Sequence, residues 1–531
     1  MIINAGGGGG ANVVLVNIAF TATPTKTSYT AGEKLDLTGA TVTAMYSNGS
    51  MSDVTSECTF KPAAGTVLYE DTKEIVATFH NEKMDQTLTT SISINVARVL
   101  KSISIATAPD KTSYVAGDKF DSTGMTVTGL FTSGRYDTLT GWTTSPSDAL
   151  YEDTTAVTVS YTEGGVTATA SQAVTVQRVL SSIAVTTKPT SLEAKTGVAI
   201  DTTGMVVTGT FTSGKTAEVT GWTISPTVAQ DKPGTQTITV SFTENGATAT
   251  DTFDVNVSYN VQTGLEDNSW EIIHYLSQQG TAEQYFAVGD VKKVHVEGTV
   301  GTLAVNDDYN VYILGFDHNS DVEGKGVHFG CFKTTAGVDI CLTDGVYNSN
   351  QTNGNKYFNM NHSSNTNAGG WKKSNIRYDV IGSTNSNQAD APDDTATNPV
   401  AGTLMAALPE DLRTVMQPMT KYSDNNGGGS DTAGYVTATK DFLWLLSEFE
   451  VQGARTYANS AEKNYQKQYQ YYVNGNSKVK YQHNATTSTA LWWLRSVSSS
   501  STHHFCYVST NGSANAIDAS NSFGLAPAFA V

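Results

Sequence analysis

The sequence predicts a multidomain chain: three all-β sandwiches in tandem, followed by one α+β domain. A segment rich in Thr, Val and Gly recurs about every 80 residues through the first half, and the recurrence stops near Tyr259. At 531 residues the chain also exceeds the roughly 250–300 residues that a single core supports.

The repeat comes first in the chain. TGATVTAMYSNG begins at Thr38, TGMTVTGLFTSG at Thr123 and TGMVVTGTFTSG at Thr203. Gly141-Trp142 returns as Gly221-Trp222, the YEDT at Tyr69 returns at Tyr151, and the RVL at Arg98 returns at Arg178. Within each copy, short runs such as KSISIAT from Lys101 and QAVTVQ from Gln172 alternate apolar and polar residues. That period of two belongs to half-buried strands, with Gly, Asn and Asp turns between them. About seven such strands per copy read as an immunoglobulin-like sandwich. No Cys pair spans the two sheets, so the copies resemble bacterial and phage Ig-like repeats. The expected boundaries are 12–97, 98–177 and 178–258. Short junctions would make these copies a semi-rigid spacer. Residues 1–11 carry five consecutive glycines and read as a tether or anchor.

From 259 to 531 the composition shifts toward Asn, Gly, Tyr and Trp. Apolar strands are expected at VKKVHVEGTV from Val291, YNVYILGF from Tyr309 and DFLWLLS from Asp441. In AGTLMAALPEDLRTVMQPM from Ala401, Leu404, Leu408, Leu412 and Met416 fall on one helical face, with Pro409 as an N1 residue starting a new turn. The polar insertions 348–367 and 383–398 read as surface loops or lids.

Net charge is −18 with only 15% charged residues. This argues against a nucleic-acid partner, which a basic patch would attract. No apolar run reaches the roughly 18 residues of a membrane helix, so no membrane insertion is expected. The N-terminus lacks a basic region and an uninterrupted apolar core, so it does not read as a secretory signal. Cys58, Cys331, Cys341 and Cys506 are too few and scattered for a disulfide framework. Cys331 and Cys341 could pair across a hairpin, but free thiols fit a chain without an export signal.

The segment 491–531 is the candidate binding region. Trp492, Trp493 and Leu494 open it as core, and Leu525, Pro527, Phe529 and Val531 close it as core. Between Val497 and Phe523 there is no Lys, Glu, Gln, Met or Trp. Those five types have no codon ending in C or T. Codons with randomised first two bases and a fixed pyrimidine end would leave this bias, on a palette of Ser, Asn, Tyr and His suited to adaptable recognition.

Six separated motifs carry a family resemblance: Trp270 with FAVGD at Phe286, ILGFDHN at Ile313, GGWKKSNIR at Gly369, LPEDLR at Leu408, LWLLSEFEV at Leu443 and LWWLRS at Leu491. Their order resembles the C-type-lectin-like variable proteins of diversity-generating retroelements. The resemblance implies a C-type-lectin-like domain over 259–531. It also implies ligand contact by Val497, Ser498, Ser499, Ser500, Thr502, His503, His504, Tyr507, Ser509, Ser513, Ile517, Asp518 and Phe523, with Trp492, Trp493 and Arg495 as scaffold. Other domains of this family bind without any retroelement.

Chemical alternatives are weaker. His503-His504 beside Cys506 matches no usual zinc spacing, and no metal site is expected there. Calcium at Asp307, Asp308 and Asp317 lacks EF-hand spacing. Glu448 and Glu450 read as part of a capping box begun by Ser447, not as a hydrolytic pair. No enzyme and no cofactor are therefore expected. The expectation is a phage tail-tip or tail-fibre receptor-binding protein, diversified by a retroelement. Its partners would be a host surface protein or glycan and, through the N-terminus, other tail proteins; a homotrimer follows from the resemblance alone. The alternatives are a bacterial cell-surface adhesin of fixed specificity and a polysaccharide-degrading enzyme with Ig-like spacers.

Overall fold

The computed structural model describes residues 12–531; the proposed tether at 1–11 lies outside them. The chain divides into two compact units between Ser258 and Tyr259.

The first unit is almost wholly β, and one sheet pattern occurs three times along it. In the first copy Leu15–Ala22 pairs antiparallel with Thr41–Tyr46, which pairs with Met51–Asp53. A second sheet joins Thr59–Lys61, Glu74–Asn81 and Gln86–Ser93, and Ser28–Thr30 runs parallel to Asn95–Ala97. The sheets centred on Thr126–Phe131 and Val206–Phe211 repeat the arrangement. Alternation explains the core: Val42 and Ala44 are buried, as are Val127 and Val207 at the corresponding strands, while intervening threonines face out. The repeated RVL landmark has a structural use. The Arg98 guanidinium lies 3.6 Å from the Phe131 ring centroid and 3.1 Å from Glu163. Arg178 repeats this with Phe211 at 4.2 Å and Glu244 at 2.9 Å.

The second unit mixes helices and strands. Its main sheet has five strands in the order Val291–Val300, Leu303–Phe316, Val327–Lys333, Ala528–Ala530 and Leu443–Trp444. The C-terminal strand is therefore interior to the sheet, which accounts for the apolar ending: Phe529 stacks on Phe329 at 5.3 Å. A separate sheet joins Trp492–Val497, His504–Val508 and Ala514–Asp518. The helix Trp270–Gln278 is capped by Ser269, whose side chain accepts from the Ile272 N–H.

Two expectations need correction. The helix expected from Ala401 is two short helices, Leu404–Ala407 and Glu410–Arg413, with Pro409 as N-cap rather than N1. A residue before proline is forced out of the helical region, and Leu408 is extended at ψ 149°. Leu404, Leu408, Leu412 and Met416 are nonetheless all buried. The insertions 348–367 and 383–398 are irregular surface segments, with most residues exposed or half-buried. They are anchored by inward residues: Phe358, Asn359, Met360, His362 and Asn367 are buried in the first, and Ser383, Thr384, Ala391, Thr395 and Ala396 in the second. The strand expected from Asp441 is reduced to Leu443–Trp444. All four cysteines are free thiols.

Candidate functional site

The candidate site sits on a frame of buried charges. Four short elements converge: Ser320–Glu323, Met419–Asp424, Glu448–Gln452 and Trp492–Val497. Each contributes one ionic side chain. The Arg495 guanidinium makes a two-pronged contact with Glu450, with Nη2 at 2.8 Å from Oε1. Lys421 Nζ lies 3.1 Å from Glu450 and 2.5 Å from Glu323. All four side chains are essentially inaccessible. Such charges are tolerated only when paired and hydrogen-bonded. Arg495 Nε also donates to Ser423 Oγ at 2.9 Å and Nη1 to the Leu445 carbonyl at 2.9 Å. The predicted capping box is present: Ser447 accepts from the Glu450 N–H, and Glu450 accepts from the Ser447 N–H. Glu450 thus caps a helix and anchors Arg495 at once.

Burial alone would raise the Glu450 carboxyl, but Arg495 and Lys421 outweigh it and hold it below the usual carboxylate range. Glu462 differs. It accepts from the Asp424 N–H and from Ser496 Oγ, but makes no ion pair among the described residues. Burial pushes its carboxyl up to about 7, with those two hydrogen bonds opposing. A carboxyl raised on folding stabilises the folded state below its unfolded value, and that stability is lost as pH rises through the folded value. Glu462→Gln, which mimics the protonated form, should therefore stabilise the protein more at pH 8 than at pH 5. The difference should be roughly 1–3 kcal/mol, read by urea unfolding at the two pH values.

His318, Glu323 and Glu450 offer three potential metal-ligand atoms within 4.8 Å of one another. The Lys421 ammonium already supplies the cation there. Burial and then Lys421 depress the imidazole of His318 to about 3. The chemistry is that of a charge-neutralised core. Among the described residues no convincing catalytic site is present. Asp307 and Asp308 are exposed on Leu303–Phe316, and Asp308 faces His295 at 2.9 Å. Asp317 lies roughly 30 Å further along that extended strand, at about 3.4 Å per residue, and accepts from the Gly326 N–H. The three do not form one calcium site. Cys506 is buried, and His504 faces Asp518 at 3.3 Å.

A second buried pair explains another motif. Arg377 Nε lies 2.7 Å from Asp441, which also accepts from Trp371 Nε1, Ser383 Oγ and Thr439 Oγ1. The tryptophan and arginine of GGWKKSNIR thus share one carboxylate.

On this frame the predicted site residues separate into three groups. Val497, Ser498, Phe523 and Tyr507 are interior, at 0%, 1%, 2% and 8% exposure. They are corrected from ligand contacts to core. Phe523 stacks on Trp493 at 4.8 Å and packs edge-on to Tyr507 at 5.0 Å. Ser498 bridges Ala458. The codon bias carries no information about which side of the sheet a residue takes, and residues on one strand alternate faces.

Ser499, Ser500, Thr502, His503, His504, Ile517 and Asp518 come together at one end of the hairpin, and Ser500, Thr502 and His503 are exposed. Their backbone is held from both sides. Asn367 Nδ2 donates to the carbonyls of Ser501 at 2.7 Å and His504 at 3.1 Å, while its N–H reaches the Thr502 carbonyl. The Ser499 N–H donates to the Tyr457 carbonyl. Gly429 takes φ +71°, and a Cβ there would lie 3.0 Å from the Ser501 backbone. Ser509 and Ser513 are at the other end, in the turn closed by Gly512. Roughly 17 Å of strand, at about 3.4 Å per residue, separates them from His504. Asn367 was missed from sequence; its place in a polar run hid it. Trp492, Trp493 and Arg495 are buried.

Two family profiles match the chain. One, described as a bacterial Ig-like domain (group 3), matches residues 22–63. The other, described as a domain of unknown function (DUF6273), matches residues 347–531. The second span holds Asn367, Arg377, Asp441, Glu450, Glu462 and Arg495. No curated protein matches the chain. Among solved structures, surface layer protein SbsC domains 4–9 is 15% identical, over 46% of this chain and 48% of that one, with TM-score 0.14. Protocadherin gamma B2 extracellular cadherin domains 1–5 is 10% identical over 48% and 61%, with TM-score 0.22. Sidekick-1 immunoglobulin domains 1–5 is 10% identical over 48% and 61%, with TM-score 0.17. The chain spans less than two thirds of each of these proteins, and scores this low carry no functional argument. Ig-like β structure in the first half and a mixed α+β second half stand on the profile match and the sheets. The matched families include no lectin.

Proposed function

We propose that this is a cell-surface adhesin-type protein of fixed specificity. The Ig-like copies would act as spacer domains, and the domain at 259–531 would bind a surface protein or glycan. One observation carries the reading. The backbone of 498–504 is held by Asn367 and Tyr457 and packed close to Gly429, while Ser500, Thr502 and His503 are exposed and the His503 ring meets the Asn365 carbonyl. A held loop with exposed side chains loses little conformational entropy on binding. No helix among the described residues is long and apolar enough to cross a membrane.

The test is binding of the full chain to a panel of Gram-positive cells. The double variant Thr502→Glu/His503→Glu should weaken binding about tenfold, a loss of about 1.4 kcal/mol. Its thermal midpoint should be unchanged. Wild-type binding by that variant would reject this loop as the site.

A second reading, a retroelement-diversified receptor-binding protein of a phage tail, is favoured by the missing five residue types between Val497 and Phe523. Four of its thirteen expected contact residues are interior, which supports fixed specificity. A near-copy of the codons for 491–531 beside a reverse-transcriptase gene, found by sequencing downstream of the stop codon, would reverse that preference.

A further inference from the structure

A hollow among the described residues has a cationic lining. It opens in the second unit, has a volume of about 490 Å³, and is lined by Phe449, Arg455, Ser460, Lys463, Gln466 and Lys467 among others. No carboxylate is among its lining residues. Asp431 sits at its edge, 2.9 Å from Arg455 Nη1. Lys463 and Lys467 are exposed and form no ion pair among the described residues. In a protein of net charge −18, two unpaired lysines and an arginine around one concavity create a local positive potential that draws anions.

Gln466 and Phe449 line the same hollow at 4% and 8% exposure. Gln466 Nε2 donates to the Tyr422 carbonyl at 2.6 Å, and its Oε1 lies beneath the surface. The wall is thus held in place by the core, and the charge of Lys463 and Lys467 is what a ligand meets.

We infer that this hollow binds an anionic polymer, with its acid groups held by Lys463 and Lys467. The hollow is separate from Ser500, Thr502 and His503, and the inference stands whether or not that loop binds anything. Carboxylate and phosphate polymers share the required chemistry, and the test distinguishes them.

The full chain is titrated at low salt with polygalacturonate, with poly(glycerol phosphate) and with neutral dextran. Binding to at least one polyanion, none to dextran, and weakening as salt rises are expected. The better polyanion identifies the acid group. Lys463→Glu/Lys467→Glu should weaken that binding at least about tenfold with an unchanged thermal midpoint, since both side chains are exposed. The charge-neutral variant Thr502→Ala/His503→Ala should leave it unaltered. No polyanion binding, equal binding to dextran, or wild-type affinity in the lysine double variant would each overturn the inference. Loss of polyanion binding in Thr502→Ala/His503→Ala alone would move the site to the hairpin loop and overturn it too.

Discussion

Arg495→Met should cost the C-terminal domain about 3–5 kcal/mol, the range for removing one partner of a buried ion pair. The loss is not the value of the pair itself. It arises because Glu450 would keep its charge in the core with Lys421 as the one remaining cation, already shared with Glu323. The Leu445 carbonyl and Ser423 Oγ would lose their donors as well. Urea unfolding followed by tryptophan fluorescence reads this directly, because Trp371, Trp444, Trp492 and Trp493 are all buried in the same core. The companion variant Arg495→Met/Glu450→Leu should recover much of the loss, since apolar replacement of a whole buried pair is often near neutral. Recovery will be incomplete, because Glu450 also closes the capping box with Ser447, worth about 1 kcal/mol. A single variant costing less than about 1 kcal/mol would mean that Arg495 does not bear the charge balance described here.

The local signals in the chain were legible where one residue type answers to one constraint. The repeat period located the β copies, since each alternating run has only one way to bury its valines. Ser447 and Glu450 announced their cap through spacing alone. Val291–Val300 forms a strand over the whole of its apolar-alternating run. The buried ionic cluster was not legible, because its members lie far apart: Glu323, Lys421, Glu450 and Arg495 meet only when four elements pack. Periodicity within a segment says nothing of that. The inward residues of the polar insertions were hidden for the same reason. Asn367 and Phe358 sit in a run of Asn, Ser and Thr, yet one holds the loop 498–504 and the carbonyl of the other accepts from Trp493 Nε1 at 2.8 Å. In the candidate segment the difficulty is one of facing: which of its side chains point inward depends on a hairpin register that composition does not encode.

That register makes Phe523 the sharpest test of whether the segment is freely variable. Phe523 lies between Trp493 and Tyr507, and its N–H donates to the Phe358 carbonyl. Phe523→Asn would remove the ring from a stacked cluster, costing about 3–5 kcal/mol for the lost burial and cavity. It would also place an amide where no side-chain partner is waiting. Thr502→Asn, on the exposed end, should change stability by no more than about 0.5 kcal/mol. Both substitutions stay within the same pyrimidine-ending codon set, so a process that rewrites all thirteen positions alike would meet two very different consequences. The pair of thermal midpoints separates the readings. A large drop for Phe523→Asn beside none for Thr502→Asn places the boundary of tolerable variation at the loop 498–504 and the opposite turn. Equal midpoints would show that the core beneath the hairpin absorbs substitution, and the diversified reading would then account for the whole segment.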